Sequence, residues 1–175
     1  NDYIKILSHA SGTDVNSSAI FFIGADTDVT TGYGWNFTDT AFTDQNKTMH
    51  PIKSGTNPNE LIPRNANDDS TNNFNGIDVY EYYQLAWTAY AVGISDYDEY
   101  NATTNTGTNT GTLMLYYDYQ PWEGEGYAAA NKKDLLMQEV DTFQFMSIGS
   151  IVKIQVCIKT DLVEDYSLCK EKTIY

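Results

Sequence analysis

The chain has 175 residues, enough for one domain with a sizeable hydrophobic core, and it contains no apolar run of about 18 residues that could cross a membrane. Its 24 acidic side chains outnumber its 10 Lys and Arg, which gives a formal net charge of −14. Because such a surface repels nucleic acid and anionic lipid and attracts cations, we expect no nucleic acid partner and no membrane insertion.

The composition favours an extracellular or cell-surface location. Asn, Thr, Ser, Gly and Tyr are abundant, as in many secreted β-proteins, and four N-x-[ST] sequons give glycosylation candidates. These candidates are Asn16, Asn36, Asn46 and Asn101. The chain begins at Asn1 rather than Met, which is what removal of a secretion signal would leave, although an arbitrary boundary would look the same.

The N-terminal segment predicts a short strand on a hinge. Ile4 and Ile6 would lie on one side, and Tyr3, Lys5 and Leu7 on the other. The polar residues 11–14 follow as a hinge. Such a strand either pairs within its own sheet or completes the sheet of a neighbouring copy, where ladder hydrogen bonds would supply affinity. Residues 1–10 are therefore the donor-strand candidate.

The middle of the chain predicts more strands, joined by irregular segments. Residues 44–76 are interrupted by prolines and predict a long loop at one end of the sandwich, with room for one short strand. Residues 95–101 predict an acidic turn, and residues 102–112 an exposed low-complexity loop. Residues 128–138 fit either one short helix or an extended connection. The strands are predicted at residues 19–29, 30–43, 77–92 and 113–120.

A hairpin near the C-terminus has the clearest strand pattern. Val152, Ile154, Val156 and Ile158 alternate with polar residues, and β-branched residues dominate that face. Residues 142–146 also alternate, and residues 147–150 predict a Gly-containing turn. This turn would place Phe145 opposite Val152 and Phe143 opposite Ile154, so that one apolar face continues across both strands.

The two cysteines predict a disulfide. If residues 167–175 fold back against the strand at residues 151–160, Cys157 and Cys169 can face each other across the pair. The bond would close a short loop and stabilise the fold by about 3 kcal/mol in the chain-entropy model. Two unrelated buried thiols are the alternative. A metal-binding or redox role is not expected, because neither cysteine has a neighbouring His or Cys at the usual spacing.

These elements predict an all-β fold with at most one short helix. Roughly seven to nine strands joined by turns and loops indicate an antiparallel β-sandwich or jelly roll. We expect a single domain over residues 11–175, with the hairpin and the C-terminal strand at its centre.

Signatures of catalysis are missing from the sequence, so we expect no enzyme. The two histidines, His9 and His50, belong to neither a zinc motif nor a nucleophile motif, and no Gly-rich phosphate loop follows a strand.

Calcium is the chemistry that the sequence favours. Asp and Asn oxygens are the ligands that calcium prefers, and alternate side chains in a turn can converge on one cation. Acidic turns whose residues bond only their own backbone are the alternative for each candidate. The candidates, in order of preference, are Asp96, Asp98, Glu99 and Asn101, then Asp26 and Asp28, then Asp68 and Asp69.

The aromatic residues offer a sugar-binding alternative. Trp35 and Trp87 lie in alternating strands and are expected in the core. Trp122 lies beside Pro121 and Gly124, so we expect its ring to be exposed and able to stack on a sugar. Tyrosines are also frequent in protein–protein interfaces.

The hinged segment at residues 3–7, the acidic Asn/Thr/Tyr-rich β-domain and the sequons together resemble extracellular filament subunits of archaea. The closest in character are cannula-forming proteins, which build hollow tubes between cells, and more distantly the TasA-like bundling pilins. The resemblance implies that the N-terminal strand is donated to the next subunit and that calcium promotes assembly. The cysteine pair departs from this pattern, and the chain lacks the long hydrophobic N-terminal helix of type IV pilins and archaellins.

The leading hypothesis is therefore a secreted structural subunit that polymerises with identical copies by N-terminal strand exchange and is stabilised by calcium. A monomeric carbohydrate-binding module and a viral or surface-layer jelly-roll protein are the alternatives, and glycans would be the partners of the first.

Overall fold

The structure is a computed structural model of the chain. It describes residues 2–7, 14–23, 49–57, 59–65, 70, 72–74, 78–123, 125–130, 132–149, 151–160 and 166–175.

Nine strands and one short helix form the described secondary structure, together with three single turns of 3-10 helix. The helix, α1, spans Asp2–Leu7, and the 3-10 turns span Val15–Ser17, Pro121–Glu123 and Tyr127–Ala129. The strands are β1 (Ala19–Phe22), β2 (His50–Ser54), β3 (Leu61–Pro63), β4 (Tyr83–Ala86), β5 (Ala89–Asp98), β6 (Thr110–Tyr119), β7 (Lys132–Ile148), β8 (Ile151–Lys159) and β9 (Ser167–Ile174). Within the described ranges, no helix is long and apolar enough to cross a membrane.

The strands form two antiparallel sheets, and the predicted all-β sandwich class is confirmed. One sheet has the order β3-β2-β1-β4 and the other the order β5-β6-β7-β8-β9. In the second sheet every neighbour is consecutive in the chain, so it is an up-and-down meander. Antiparallel neighbours of this kind need only short connections.

The chain divides into two compact units. Unit 1 contains the described residues of 1–90 and 116–132, and unit 2 those of 91–115 and 133–175. The domain predicted for residues 11–175 thus contains two such units, and the N-terminal segment belongs to unit 1.

Unit 1 has a small apolar core around Trp122. Ala19 and Met49 are buried with this ring, and Phe21 and Ala86 pack against the cluster. A buried ion pair accompanies the core: the Arg64 guanidinium binds the Glu123 carboxylate, and Arg64 Nε donates to the Ile52 carbonyl at 3.0 Å. These partners satisfy a guanidinium that burial would otherwise destabilise.

Unit 2 contains the predicted hairpin, but its pairing differs from the prediction by two residues. Phe145 lies opposite Ile154 and Phe143 opposite Val156. The connection contains only two residues, because Gly149 adopts a φ of +59° directly after Ile148, as tight hairpin turns require. A shift of two residues keeps every side chain on its predicted face.

The third strand of this region ties the C-terminus to the hairpin. β9 pairs with β8, and Cys157 lies directly opposite Cys169. The two residues form a disulfide, with their Cα atoms 4.0 Å apart, as the sequence predicted.

The strand predicted for the N-terminal segment was wrong. Residues 2–7 form helix α1, of which Ile4 alone is buried. A strand needs a neighbouring strand to satisfy its backbone, whereas a helix satisfies part of its backbone within the segment. Since neither described sheet includes residues 2–7, the helix satisfies this requirement locally.

Several other predicted elements were wrong. The described residues of the long loop predicted at 44–76 contain two strands, β2 and β3, and β6 begins at Thr110, inside the loop predicted at residues 102–112. The strand predicted at residues 77–92 is divided into β4 and β5 by a break at Trp87 and Thr88, and β5 continues through the predicted acidic turn as far as Asp98. Of the two possibilities for residues 128–138, the extended one is correct, because β7 begins at Lys132.

Candidate functional site

The first-ranked calcium candidates lie at the end of β5 and in the loop that follows it. Asp96 and Asp98 are strand residues, so this region is acidic without being the turn that the sequence predicted. The Asp98 Oδ2 atom accepts hydrogen bonds from the Thr108 backbone N–H at 3.0 Å and from the Thr108 hydroxyl at 3.2 Å. The carboxylate therefore holds the two ends of the β5–β6 connection together.

Asparagines organise the rest of this connection. The Asn101 Oδ1 atom accepts from the backbone N–H of Thr103 at 2.9 Å and of Thr104 at 3.3 Å, an Asx-type turn. Gly107 closes the loop with a φ of +96°, and a Cβ at this position would lie 2.3 Å from the Glu99 carbonyl oxygen. Only glycine meets both requirements without rearrangement.

The geometry does not assemble these candidates around one point. Within the part of the chain that the structure describes, no group of three or more His, Cys, Asp or Glu side chains is placed to hold a metal ion. Oxygens of Asp98 and Asn101 instead serve the loop itself. Calcium binding at Asp96, Asp98, Glu99 and Asn101 stays a prediction, while Asp26, Asp28, Asp68 and Asp69 lie outside the described residues.

Two glycosylation candidates are described and both are exposed. Asn16 lies in the 3-10 turn Val15–Ser17, and its Oδ1 atom accepts from the Ser54 N–H at 2.9 Å. Asn101 lies at the start of the loop described above. Asn36 and Asn46 lie outside the described residues, and glycosylation at all four sequons stays a prediction.

The predicted exposure of the Trp122 ring, on which the sugar-stacking alternative depended, was wrong. Its ring is 1% exposed, and its Nε1–H donates to the Ser17 carbonyl at 2.9 Å. Gly124 and Pro121 indicated an exposed turn, but the 3-10 turn Pro121–Glu123 directs the ring into the core of unit 1. A buried ring cannot stack on a sugar, so this residue does not support a carbohydrate-binding module.

The predicted donor segment carries an exposed apolar surface. Tyr3, Ile6 and Leu7 on α1 are 81%, 70% and 58% exposed. Large apolar side chains scattered singly are ordinary on protein surfaces, but three of them within one turn and a half of helix form a contiguous patch.

A second apolar surface lies on unit 2, and the sequence did not reveal that it is exposed. Register places one set of side chains from β7, β8 and β9 on a common face, which we call the Phe143 face. Its members are Val140, Phe143, Phe145, Ser147, Val152, Ile154, Val156, Ile158, Leu168, Lys170, Lys172 and Ile174.

Much of the Phe143 face is open to solvent. Phe145, Leu168 and Ile174 are 71%, 57% and 49% exposed, and the rings of Phe143 and Phe145 lie 6.4 Å apart. The alternation that predicted a core strand is equally consistent with an apolar face that a partner would cover.

The charged members of this face are both positive. Lys170 lies opposite Val156, and Lys172 lies opposite Ile154. The carboxylate of β9, on Glu171, alternates to the other face, where Lys153 Nζ lies 3.6 Å from its Oε1 atom. The sequence signal that could have indicated this surface is the run from Leu168 to Ile174, in which apolar residues and lysines share one side of a strand.

Comparison of the chain with protein-family models, with curated proteins and with solved structures finds no match.

Proposed function

We propose that this chain is a secreted structural subunit that polymerises with identical copies through its N-terminal segment, with calcium stabilising the assembly. The observation that carries the proposal is the exposure of Tyr3, Ile6 and Leu7 on a helix of six residues. A segment with so much uncovered apolar area gains free energy when a partner covers it, at about 25 cal/mol per Å².

The helix can be exchanged for a strand at low cost. Helices of this length are marginal in water, since forming the first turn fixes several residues for few hydrogen bonds. Only Ile4 would leave a buried position within its own subunit. In an extended conformation Ile4 and Ile6 would share one side, which is the pattern of a strand added to another sheet.

The composition and the disulfide support the extracellular part of the proposal. Disulfides form and persist in oxidising environments, and Cys157 is bonded to Cys169. Together with four sequons and an acidic, Asn-rich composition, this favours secretion.

Deletion of residues 1–10 tests the proposal. We expect the shortened chain to stay folded, by circular dichroism, and to lose the polymers that the full chain forms in sedimentation and negative-stain imaging. A milder variant, Ile6→Asn, should raise the concentration needed for polymerisation without lowering monomer stability, because Ile6 is exposed in the monomer.

The matched control is Lys5→Gln, which changes the adjacent residue and leaves Ile4 and Ile6 in place. Filaments of unchanged abundance and length after the deletion would contradict the role of the segment. A full chain that stays monomeric at every concentration, with and without calcium, would contradict polymerisation itself.

A further inference from the structure

We propose that the Phe143 face receives a second copy of this chain, through a surface on that copy different from the Phe143 face itself. The inference rests on the proposed polymerisation and adds to it the position and the symmetry of one contact. Its basis is the combination of apolar and basic side chains on one face of β7, β8 and β9.

The exposed apolar area is appropriate for the centre of an interface. An aromatic side chain presents roughly 150 to 250 Å², and Phe145 is 71% exposed. With Leu168 and Ile174 about half exposed, the face leaves a few hundred Å² of apolar area uncovered. A standard interface takes about 800 Å² from each partner, of which the centre is apolar and the rim polar.

The charge of the face identifies the kind of surface that covers it. In the described part of the chain, neither Lys170 nor Lys172 has an ion-pair partner, and none of the paired positions on this face is Asp or Glu. The chain as a whole carries 24 acidic residues against 10 Lys and Arg. A second copy, with its net charge of −14, therefore offers an excess of carboxylates that can pair with the lysines of this face.

The same charges argue against a contact of the face with itself. A two-fold contact would bring Lys170 and Lys172 of both copies together with no carboxylate between them, which costs free energy. The contact is therefore heterologous: the Phe143 face of one copy meets another surface of the next. Heterologous contacts produce rings or open filaments, and each open filament then ends in one uncovered Phe143 face.

Charge reversal on this face tests the inference. The double variant Lys170→Glu, Lys172→Glu should fail to polymerise by itself. Added in small amounts to the wild-type chain, it should cap filaments, because its second surface can still bind an uncovered Phe143 face while its own face accepts no further subunit. Mean filament length, measured by negative-stain imaging, should fall in proportion to the fraction of variant added.

Three controls separate this effect from others. The double variant Lys133→Glu, Lys153→Glu makes the same change of net charge away from the Phe143 face. It should still polymerise, and it should shorten wild-type filaments far less than the Lys170→Glu, Lys172→Glu variant does. Lys170→Arg, Lys172→Arg should behave as the wild type. Phe145→Ser removes an exposed ring and should also prevent polymerisation and cap filaments, whereas Tyr97→Ser, at a residue 52% exposed on β5, should not. Circular dichroism checks that each variant is folded.

The outcomes are distinguishable. If the charge-reversal and Phe145→Ser variants polymerise as the wild type does, the Phe143 face is not a contact, and the inference fails while the proposed function stands. If they neither polymerise nor shorten wild-type filaments, the variant's second surface does not bind an uncovered Phe143 face, and the heterologous contact is wrong. If the wild-type chain never polymerises, the inference and the proposed function both fail.

Discussion

His50 is buried between aromatic rings in unit 1, at the start of β2. Its ring centroid lies 5.4 Å from that of Phe22 and 5.7 Å from that of Phe74. Burial disfavours the charged imidazolium and lowers the pKa of His50 from its usual value of 6.5. The folded chain therefore holds this histidine neutral at pH 7, with a role in packing.

Acid should destabilise the fold through this residue. Because the folded-state pKa lies below the unfolded value, the stability associated with neutral His50 is fully present above about pH 6.5 and falls as the pH drops from there towards the folded pKa. Urea unfolding at several pH values should show wild-type stability falling faster with acidification than that of His50→Phe, which keeps a ring and cannot titrate. If the free energy of unfolding depends on pH in the same way for both proteins, His50 does not contribute to the loss of stability in acid. His9 is present in both proteins, so its effect cancels in the comparison.

Trp122 illustrates which residues sequence reasoning could not place. Its neighbours Pro121 and Gly124 indicated an exposed turn, and the turn is present. The position of the ring, however, depends on Ser17, Ala19 and Met49, which lie between 73 (122 − 49) and 105 residues away in the chain. Such packing follows from the tertiary fold and leaves no local pattern.

Among the elements, the β8–β9 pair is the one held covalently. Cys157 and Cys169 occupy opposed positions and are separated by 12 residues in the chain. A bond of this span lowers the conformational entropy of the unfolded chain, which stabilises the folded state by about 3 kcal/mol in the chain-entropy model. It also fixes the edge strand that carries Lys170 and Lys172.

Removing the disulfide should therefore lower stability with little change of structure. The double variant Cys157→Ser, Cys169→Ser should lose about 2 to 4 kcal/mol of unfolding free energy in urea titrations. The reduced wild-type chain, measured with its thiols blocked, is the control and should show a similar loss. Equal stability of the oxidised wild type and the variant would mean that the bond does not constrain the unfolded chain.

At the scale of elements, periodicity predicted the C-terminal strands well because alternation is a local property. The central hairpin, β9 and the disulfide lie where the sequence placed them. The exact pairing was wrong by two residues, since it depends on which residues form the turn, and Gly149 allows a shorter one. Helix α1 was missed because the alternation of residues 3–7 predicts a strand only where a neighbouring strand is available.

The Phe143 face was missed for a related reason. An apolar strand face in a sequence is read as core, and the sequence does not tell whether the second layer belongs to the same chain. The structure separates the two cases: Val140 is buried and Phe145 is mostly exposed, although both lie in β7. Exposure, rather than hydrophobicity, identifies the candidate interface.

For the whole molecule, net charge sets the conditions for self-association. Copies carrying −14 each repel one another over distances comparable to the Debye length, which is about 30 Å at 0.01 M salt and about 8 Å at 0.15 M. The contacts proposed for Lys170 and Lys172 are short and become buried, so they are screened less than the repulsion.

Moderate salt should therefore promote polymerisation. The concentration at which polymer first sediments should fall when sodium chloride is raised from about 10 mM to about 150 mM, because screening weakens the long-range repulsion first. Calcium chloride at the same ionic strength should lower this concentration further, since bound calcium also neutralises carboxylates directly.

A comparison with magnesium tests whether calcium acts by specific coordination, rather than by charge screening or by its divalent charge alone. Mg²⁺ has the charge of Ca²⁺, but it retains its waters and demands octahedral geometry, so sites made of flexible carboxylates and amide oxygens favour calcium. Calcium should therefore act at lower concentration than magnesium, and chelation should reverse its effect. Asp98→Asn then tests the first-ranked site, because it removes one negative charge and keeps one side-chain oxygen as the acceptor for Thr108. Equal effects of calcium, magnesium and sodium at matched ionic strength would remove coordination from the proposed function and leave charge screening as the cause.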